Sequence, residues 1–384
     1  MDVLYFDQSL IRAYLDRGGR MIKKARAAVM VAPNADLEIR EYPLPRVEKG
    51  CILVKITCCT ICGSDLHSWL GRRKAPIPII LGHEIVGKIV ELGEGITHDS
   101  GDQPLNIGDR ITWTIMDNCG KCYYCREKGL PMKCRYLKKY GHDSCQDPPH
   151  FVGGFAEYCY ITQGTCIIKT PENLTDEEVA PANCGLATAI AGWEAAGIRP
   201  LENVLIQGAG ALGFYAAALA KHYGCNRIIL TDVIEHRLEL IKEFGATDTI
   251  NVRGMEDVEI AQTVFDLTGG FGVDAAMEVA GVPEIIPAGL KCLRIGGRYV
   301  EIGCVFHGAH FTYDVGDIVF RLLTIKGVHN YDTKHLQLGI DFLAQTKDIF
   351  PFNKLVTHKY SLDQINQALK VAQAGEAIRV AIFP

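Results

Sequence analysis

Apolar and polar residues follow one another in blocks whose lengths predict strands and helices. Short apolar runs rich in Val and Ile indicate buried strands, and helical segments separate them in the second half of the chain. An alanine-rich stretch at 186–200, ended by Pro200, predicts a helix. The strand-like runs lie at 21–31, 51–60, 227–232, 273–281, 298–304 and 324–330, and a final strand closes the stretch 355–384.

This order of elements predicts an α/β protein with a doubly wound parallel sheet in its second half. The length of 384 residues suggests two domains, and 48% hydrophobic residues supply ample core. A net charge of −5 without a basic run disfavours nucleic acid as a partner, and no apolar run is long enough to span a membrane.

The first twenty residues are charged and lack the apolar core of a signal peptide, which favours a cytoplasmic location. Because a strand-like run begins at Met21, we expect the natural start at Met21 and a non-native or disordered extension over 1–20.

Four cysteines stand close together in the first half: Cys119, Cys122 and Cys125 with C-x2-C-x2-C spacing, and Cys134 after eight further residues. Disulfides, an iron–sulfur cluster and a closed tetrahedral zinc site are the alternatives. A reducing cytoplasm disfavours disulfides, and the other motifs favour structural zinc.

A second group of metal-binding residue types is spread along the chain. Cys62 lies in TICGSDLH (60–67), His83 in LGHEIVGKIVELG (81–93) and Cys184 in APANCGLATA (180–189). One Cys and one His are half of a zinc site, and a third ligand with an open position makes a catalytic one. Each residue alone is more often a packed side chain than a ligand.

A glycine-rich turn joins the apolar run VLI to an apolar helical segment. Its G-x-G-x-x-G pattern falls on Gly208, Gly210 and Gly213, with Ala211 and Leu212 between the last two. In a strand–turn–helix context this pattern is typical of dinucleotide binding, with the pyrophosphate at the helix N-terminus. Asp232 ends the next strand-like run. A carboxylate there can accept both ribose hydroxyls and repels a 2′-phosphate, so NAD is favoured over NADP; the alternative for Asp232 is a helix cap.

These motifs together resemble the zinc-dependent medium-chain alcohol dehydrogenases, from about residue 22 to the end. The matching stretches are CGSDLH, GHEIVGKIVELG, the four-cysteine lobe, GAGALG and GGRYVEIG. The resemblance implies a discontinuous, β-rich GroES-like catalytic domain (21–184 and 325–384) and a Rossmann dinucleotide-binding domain (185–324). It also implies a homodimer or homotetramer, with strand 324–330 at the subunit edge.

The resemblance assigns roles to the residues of the predicted metal site. It implies a catalytic zinc on Cys62, His83 and Cys184, with Glu84 as a nearby or transient ligand. Asp65 would orient the ring of His83.

Other roles also follow from the resemblance. Ser64 and His67 would relay the substrate proton. Arg237 would lie against the adenosine, although it could also bind a phosphate, so NADP stays open.

The substrate is less well defined by the sequence. Within the family, YCREKGLPMKC, KKYGHDSC and APANCGLATA resemble a subgroup associated with phosphonate catabolism. A local positive patch near residue 139 would suit an anionic alcohol if it faced the cleft, whereas a solvated turn is the alternative. The patch contains Lys133, Arg135, Lys138, Lys139 and His142, and the expected pocket walls are Trp113, Thr114, Ile115 and Phe155.

The resulting prediction is a zinc- and NAD-dependent dehydrogenase that interconverts a small alcohol or polyol and its carbonyl. Two alternatives remain: a zinc-free reductase of alkenes or quinones with the same fold, and a non-catalytic sensor of metal and nucleotide. The first alternative has no need of Cys62, His83 and Cys184 together, and no basic helix or added domain favours the second.

Overall fold

The computed structural model describes residues 13–15 and 21–384. The extension predicted over 1–20 therefore lies outside the described residues, apart from the short strand at 13–15. The strands are β1 (Ala13–Leu15), β2 (Met21–Met30), β3 (Glu38–Pro43), β4 (Ile52–Thr60), β5 (Ile79–Ile80), β6 (Glu84–Leu92), β7 (Arg110–Trp113), β8 (Tyr158–Ile161), β9 (Ile167–Lys169), β10 (Val204–Gln207), β11 (Ile228–Asp232), β12 (Asp248–Asn251), β13 (Val273–Glu278), β14 (Leu293–Glu301), β15 (Thr324–Gly327), β16 (Val356–Ser361) and β17 (Arg379–Phe383).

The helices are α1 (Gly63–Trp69), α2 (Tyr123–Arg126), α3 (Asp176–Val179), α4 (Gly185–Ala196), α5 (Ala211–His222), α6 (Glu235–Leu240), α7 (Asp257–Leu267), α8 (Ile286–Cys292), α9 (Val315–Phe320), α10 (Thr333–Thr346) and α11 (Ile365–Ala374). Short 3-10 helices cover Pro131–Lys133, Ala180–Asn183, Ile241–Phe244, Pro283–Ile285, Phe352–Lys354 and Leu362–Gln364. Each strand-like run predicted from the sequence overlaps one of these strands, although β14 begins five residues before the predicted run at 298–304.

Two sheets are built mainly from the first half of the chain. A seven-stranded sheet has the order β16-β17-β4-β6-β7-β9, with β8 also paired to β4, and a four-stranded sheet joins β1, β2, β3 and β5. The final strand β17 pairs antiparallel with β4, where Ala381 lies opposite Thr60. The end of the chain therefore completes a sheet that its beginning starts, as the predicted discontinuous domain requires.

The third sheet is six-stranded, parallel throughout and ordered β12-β11-β10-β13-β14-β15. Successive strands run outward from β10 in one direction through β11 and β12, and in the other through β13, β14 and β15. The strand order therefore reverses beside β10, and ligands of such sheets bind at the carboxyl ends of the strands at this point. The predicted doubly wound parallel sheet is confirmed.

The predicted domain boundary between residues 324 and 325 falls inside β15. Thr324–Gly327 pair with Arg298–Glu301 of β14, so this strand belongs to the parallel sheet. The short sequence TIKG gave little sign of this, since all four residues are exposed at the sheet edge.

Helix α4 lies between the seven-stranded and the parallel sheet. Ten of its twelve residues are buried, which explains why its sequence is apolar on every side. Its glycines allow close packing: a Cβ on Gly192 would lie 2.5 Å from Cδ1 of Ile302. No helix in the described part of the chain is long and apolar enough to cross a membrane.

Candidate active site

Strand pairing brings the first two predicted metal ligands together. Thr60 of β4 lies opposite Glu84 of β6, so the residues just beyond these strand ends, Cys62 and His83, become neighbours. Cys184 reaches the same point from the start of α4. The ligand atoms of Cys62, His83, Glu84 and Cys184 all lie within 4.8 Å of one another.

Asp65 fixes the orientation of His83 and of the turn that carries Cys62. Its Oδ1 accepts from Nδ1 of His83 at 3.1 Å and from the Gly82 N–H at 3.0 Å, and its Oδ2 accepts from the Cys62 N–H at 2.9 Å. Because Nδ1 carries the proton toward the carboxylate, Nε2 is left as the metal-facing nitrogen of His83. The Ser64 hydroxyl lies 3.2 Å from that Nε2.

The pKa values of Cys62, His83 and Cys184 depend on one another. A hydrogen bond from Cys184, and then the His83 ring, hold the pKa of Cys62 well below its usual range, while the Cys62 thiolate and burial raise the pKa of Cys184. Burial opposes protonation of His83, but Asp65 and Cys62 raise its pKa to about 10. Two sulfurs and one nitrogen that compete for protons in a buried site fit a divalent cation such as zinc.

Glu84 is fully buried and paired with Arg379, a residue that sequence reasoning missed. Arg379 donates to both carboxylate oxygens at 3.1 Å, and the Thr60 hydroxyl donates to Oε2 at 2.5 Å. Burial raises the pKa of Glu84, whereas the charge of Arg379 opposes this shift and favours the ionised carboxylate. Glu84 therefore lies beside the ligand group with both oxygens engaged. An arginine inside the apolar final run was the available signal.

The four cysteines of the lobe also converge. The sulfur atoms of Cys119, Cys122, Cys125 and Cys134 lie within 4.8 Å of one another, and the eight-residue spacing is taken up by α2 and the 3-10 turn before Cys134. The Arg135 N–H donates to the Cys122 sulfur at 3.5 Å and, with other backbone donors, lowers the pKa of Cys122 to about 6. Such a closed set of four sulfurs fits a structural zinc ion.

The glycine-rich turn joins β10 to α5, and its three glycines meet different demands. Gly208 has φ +115°, and a Cβ on Gly213 would lie 1.9 Å from the Gly208 carbonyl oxygen. A Cβ on Gly210 would meet nothing within 4 Å, and Gly210, Ala211 and Leu212 line the cleft. The turn therefore leaves open space at the first residue of a helix, which suits a pyrophosphate.

Asp232 and Arg237 are both engaged within the chain. Asp232 accepts from the N–H of Ala209 at 2.6 Å and from the N–H groups of Val233 and Ile234, so its carboxylate braces the glycine-rich turn as well as the start of the next loop. Arg237 donates to the carbonyl oxygens of Gly375 and Ala377, and its Nε is buried without a partner in the described structure.

Of the four predicted pocket walls, the structure places only Ile115 on the cleft. Trp113 and Phe155 are fully buried in the core, and the Thr114 hydroxyl donates to the Met116 carbonyl at 2.7 Å. Strand β7 ends at Trp113, and the chain turns there, so neighbouring positions do not share one face. These three are corrections to the sequence analysis.

The cleft between the ligand group and the glycine-rich turn is lined by further polar residues. His67 lies on it beside Phe306, with ring centroids 5.1 Å apart, and its Nδ1 is buried without a partner among the described residues. Ser64 hydrogen-bonds to His83, and no hydrogen bond in the described part of the structure joins it to His67. Arg73 and Asn330 were missed by sequence reasoning, since only the fold brings them to the cleft.

Two family descriptions match the chain. The family described as alcohol dehydrogenase GroES-like domain matches residues 48–172, and the family described as zinc-binding dehydrogenase matches residues 211–345. Among curated relatives, 5-exo-hydroxycamphor dehydrogenase from Pseudomonas putida is 31% identical over 93% of this chain and 98% of its own. L-threonine 3-dehydrogenase from Shewanella pealeana is 30% identical over 93% of this chain and 99% of its own.

Solved structures agree with this similarity. An alcohol dehydrogenase from Thermotoga maritima has a TM-score of 0.89 at 31% identity, covering 94% of this chain and 99% of that one. A zinc-binding dehydrogenase from Sinorhizobium meliloti bound to NADP and an alcohol dehydrogenase from E. coli CFT073 complexed with NADH have TM-scores of 0.83 and 0.81. Each is 26% identical and covers 94% of this chain and 99% of its own.

Proposed function

Since the chain belongs to the zinc-dependent medium-chain alcohol dehydrogenases, we propose that it is a zinc- and NAD-dependent enzyme that interconverts a polar alcohol or polyol and its carbonyl by hydride transfer. The observation that carries this proposal is the convergence of Cys62, His83 and Cys184 within 4.8 Å, on the same cleft as the glycine-rich turn. Because both groups lie on one cleft, a substrate bound there could contact a metal ion held by the ligand group and a nucleotide held by the glycine-rich turn.

The chain supplies a ligand set, an orienting carboxylate and proton carriers. A zinc ion held by Cys62, His83 and Cys184 would act as a Lewis acid toward the substrate oxygen. Asp65 keeps Nε2 of His83 directed at that position. Ser64 would take the hydroxyl proton, and His67 would pass it to solvent through an intervening hydroxyl or water, because no direct bond joins the two side chains.

The four-cysteine lobe would hold a second zinc ion that stabilises its loop and takes no part in the chemistry. Support comes from the closed arrangement of its sulfurs, which leaves no ligand position for a substrate.

Gly210 at the start of α5 would receive the pyrophosphate of the cofactor, and Asp232 would bind the ribose. Relatives in complex with NADP and with NADH are both known, so the preference for NAD depends on this chain's own residues. Asp232 would repel a 2′-phosphate, and Arg237 is tied to the Gly375 and Ala377 carbonyls rather than free to bind one.

A homodimer or homotetramer is proposed from the exposed edge of the parallel sheet. β15 is the last strand of that sheet, and large apolar side chains lie exposed around it. They are Val315, Val319, Phe320, Leu322 and Ile325.

The direct test combines metal analysis with turnover. Two zinc ions per chain and NAD reduction with an alcohol would support the proposal, and exchanging Cys184 for Ser should abolish turnover while keeping the zinc of the four-cysteine lobe. Turnover of alkenes without bound zinc, or two zinc ions without oxidation of any alcohol, would contradict it.

A further inference from the structure

Besides Arg379, which is paired with Glu84, two cationic side chains from separate loops line the cleft that contains Cys62, His83 and Cys184. Arg73 follows α1, and Lys139 follows the four-cysteine lobe. Both side chains are partly buried. Of the positive patch predicted around residue 139, only Lys139 lines this cleft. Lys133, Arg135 and Lys138 are exposed, and His142 is half-buried with its ring 4.9 Å from that of His83.

Neither Arg73 nor Lys139 has a carboxylate partner for its side chain in the described structure. Lys139 donates from Nζ to the neutral amide oxygen of Asn330 at 3.0 Å, and no hydrogen bond or ion pair is formed by the guanidinium of Arg73 within residues 21–384. Asn330 adopts φ +60°, a left-handed conformation that Asn tolerates. Arg73 and Lys139 therefore both keep N–H groups that can donate hydrogen bonds to a ligand in the cleft.

The carboxylates near these cations are already engaged with other donors, and one of them, Asp143, accepts from the backbone N–H of Lys139 at 2.9 Å. Asp65 accepts from His83 and from two backbone N–H groups, and Glu84 accepts from Arg379 and Thr60. Neither can turn toward Arg73 or Lys139 without breaking a buried hydrogen bond.

Several basic side chains lie close together on this side of the cleft. Burial lowers the pKa of Arg73, and burial followed by the Arg73 charge lowers the pKa of Lys139 to about 8. His329 accepts from Lys133 at 2.6 Å, and burial together with Lys139 and Lys133 lowers its pKa to about 3. Cations that repel one another beside a cleft are favoured when an anion binds between them.

We propose that the physiological substrate is an alcohol with an anionic group, a carboxylate, phosphate or phosphonate, which Arg73 and Lys139 bind while the hydroxyl faces Cys62, His83 and Cys184. This inference rests on the proposed dehydrogenase function and adds the class of substrate. Arg73 supplies a planar fork that matches an oxyanion, and Lys139 adds a second donor held by Asn330.

The test compares anionic alcohols with neutral esters of the same skeleton. kcat/KM with NAD would be measured for 3-hydroxypropanoate, 2-hydroxyethyl phosphate and 2-hydroxyethylphosphonate, each beside its methyl or dimethyl ester. We expect at least one acid to exceed its ester by about tenfold or more, since a charge-assisted hydrogen bond contributes roughly a factor of ten to affinity. The preferred acid identifies the anion.

Variants test whether Arg73 and Lys139 cause the preference for the acid over its ester. Arg73→Gln and Lys139→Met should each lower the acid-to-ester ratio of kcat/KM by about 10- to 100-fold, mainly through the KM of the acid. Arg73→Lys should restore part of the ratio. Arg72→Gln and Lys138→Met remove charges at exposed neighbouring positions, and they should leave the ratio within about twofold.

The unaltered enzyme gives a second measurement that does not depend on how variants fold. Raising the salt from about 0.02 to 0.3 M should increase the KM of the preferred acid and leave that of its ester nearly constant. Esters that match or exceed their acids, or variants that affect both equally, would overturn the substrate class and leave the dehydrogenase proposal standing. Oxidation of neutral polyols alone would likewise overturn only the substrate class, whereas failure of the zinc-loaded enzyme to oxidise these compounds or any other alcohol would overturn the dehydrogenase proposal itself.

Discussion

Arg379 and Glu84 form a buried ion pair across 295 residues of sequence, with both carboxylate oxygens 3.1 Å from guanidinium nitrogens. The pair joins the first residue of β17 to the first residue of β6, which follows His83 directly in the chain. The closing strand of the protein is thereby fixed to the strand that presents a metal ligand. The ion pair between Arg379 and Glu84 therefore stabilises the fold and also helps to position His83.

Removing one member of this ion pair should lower the free energy of unfolding more than removing both members. Arg379→Met leaves the Glu84 carboxylate buried without its partner, and about 3–5 kcal/mol of unfolding free energy should be lost. Glu84→Gln leaves a buried guanidinium and should also destabilise, whereas the double variant should recover part of the loss. Urea denaturation of the four proteins gives the coupling free energy, and strictly additive losses would show that the pair is not coupled.

Asp65→Asn should weaken the proposed catalytic zinc site without unfolding the protein. Asn retains one acceptor oxygen for the three donors that the carboxylate now binds, so His83 loses the partner that fixes its tautomer. We expect the affinity for one of two zinc ions to fall by about 10- to 100-fold in a chelator competition. The four-cysteine site is an internal control, and equal weakening of both sites would contradict a local role.

Two glycine substitutions should separate packing from cofactor binding. Gly213→Ala places a Cβ 1.9 Å from the Gly208 carbonyl oxygen, so it should lower the melting temperature by several degrees or more. Gly210→Ala meets no protein atom within 4 Å and should keep the melting temperature, yet it fills space proposed for the pyrophosphate. NADH titration by fluorescence should then show a Kd raised by about tenfold; unchanged binding would place the phosphates elsewhere.

The sequence predicted best those features whose residues lie close together in the chain. Cys119, Cys122, Cys125 and Cys134 lie within one loop, and the glycine-rich turn follows directly from its strand, so spacing alone indicates their convergence. Apolar runs likewise identified β10, β11, β13 and β14, because buried parallel strands are apolar on both faces, whereas the edge strand β12 was not predicted.

The residues that sequence reasoning missed reach the site through the tertiary fold. Arg73, Asn330 and Arg379 lie on three distant segments, and no periodicity links them. Trp113 and Thr114 were wrongly placed on the pocket, because the direction of a side chain after a strand end depends on the turn that follows. Asp232 stays a prediction for the ribose, since it also fits its alternative as a cap of backbone N–H groups.

A carboxylate pair at the carboxyl end of the parallel sheet should make stability depend on pH. Glu278 ends β13 and accepts from the N–H groups of Ala280 and Gly281 at 2.7 and 2.6 Å, which holds the backbone that lines the cleft. Burial, followed by the neighbouring Glu301 carboxylate, raises the pKa of Glu278 to about 8.

Because the pKa of Glu278 is raised on folding, the native state binds the extra proton, and stability falls as pH rises from about 4.5 to about 8. Glu278→Gln keeps an acceptor for the backbone and removes the titration, so its advantage over the unaltered protein should grow over this interval by up to about 1.4 kcal/mol per pH unit. Unfolding free energies measured from pH 5 to pH 9 test this, with the exposed Glu284→Gln as the matched control. Parallel pH profiles of the Glu278 variant and the unaltered protein would show that Glu278 does not titrate over this interval, and the raised pKa would have to be abandoned.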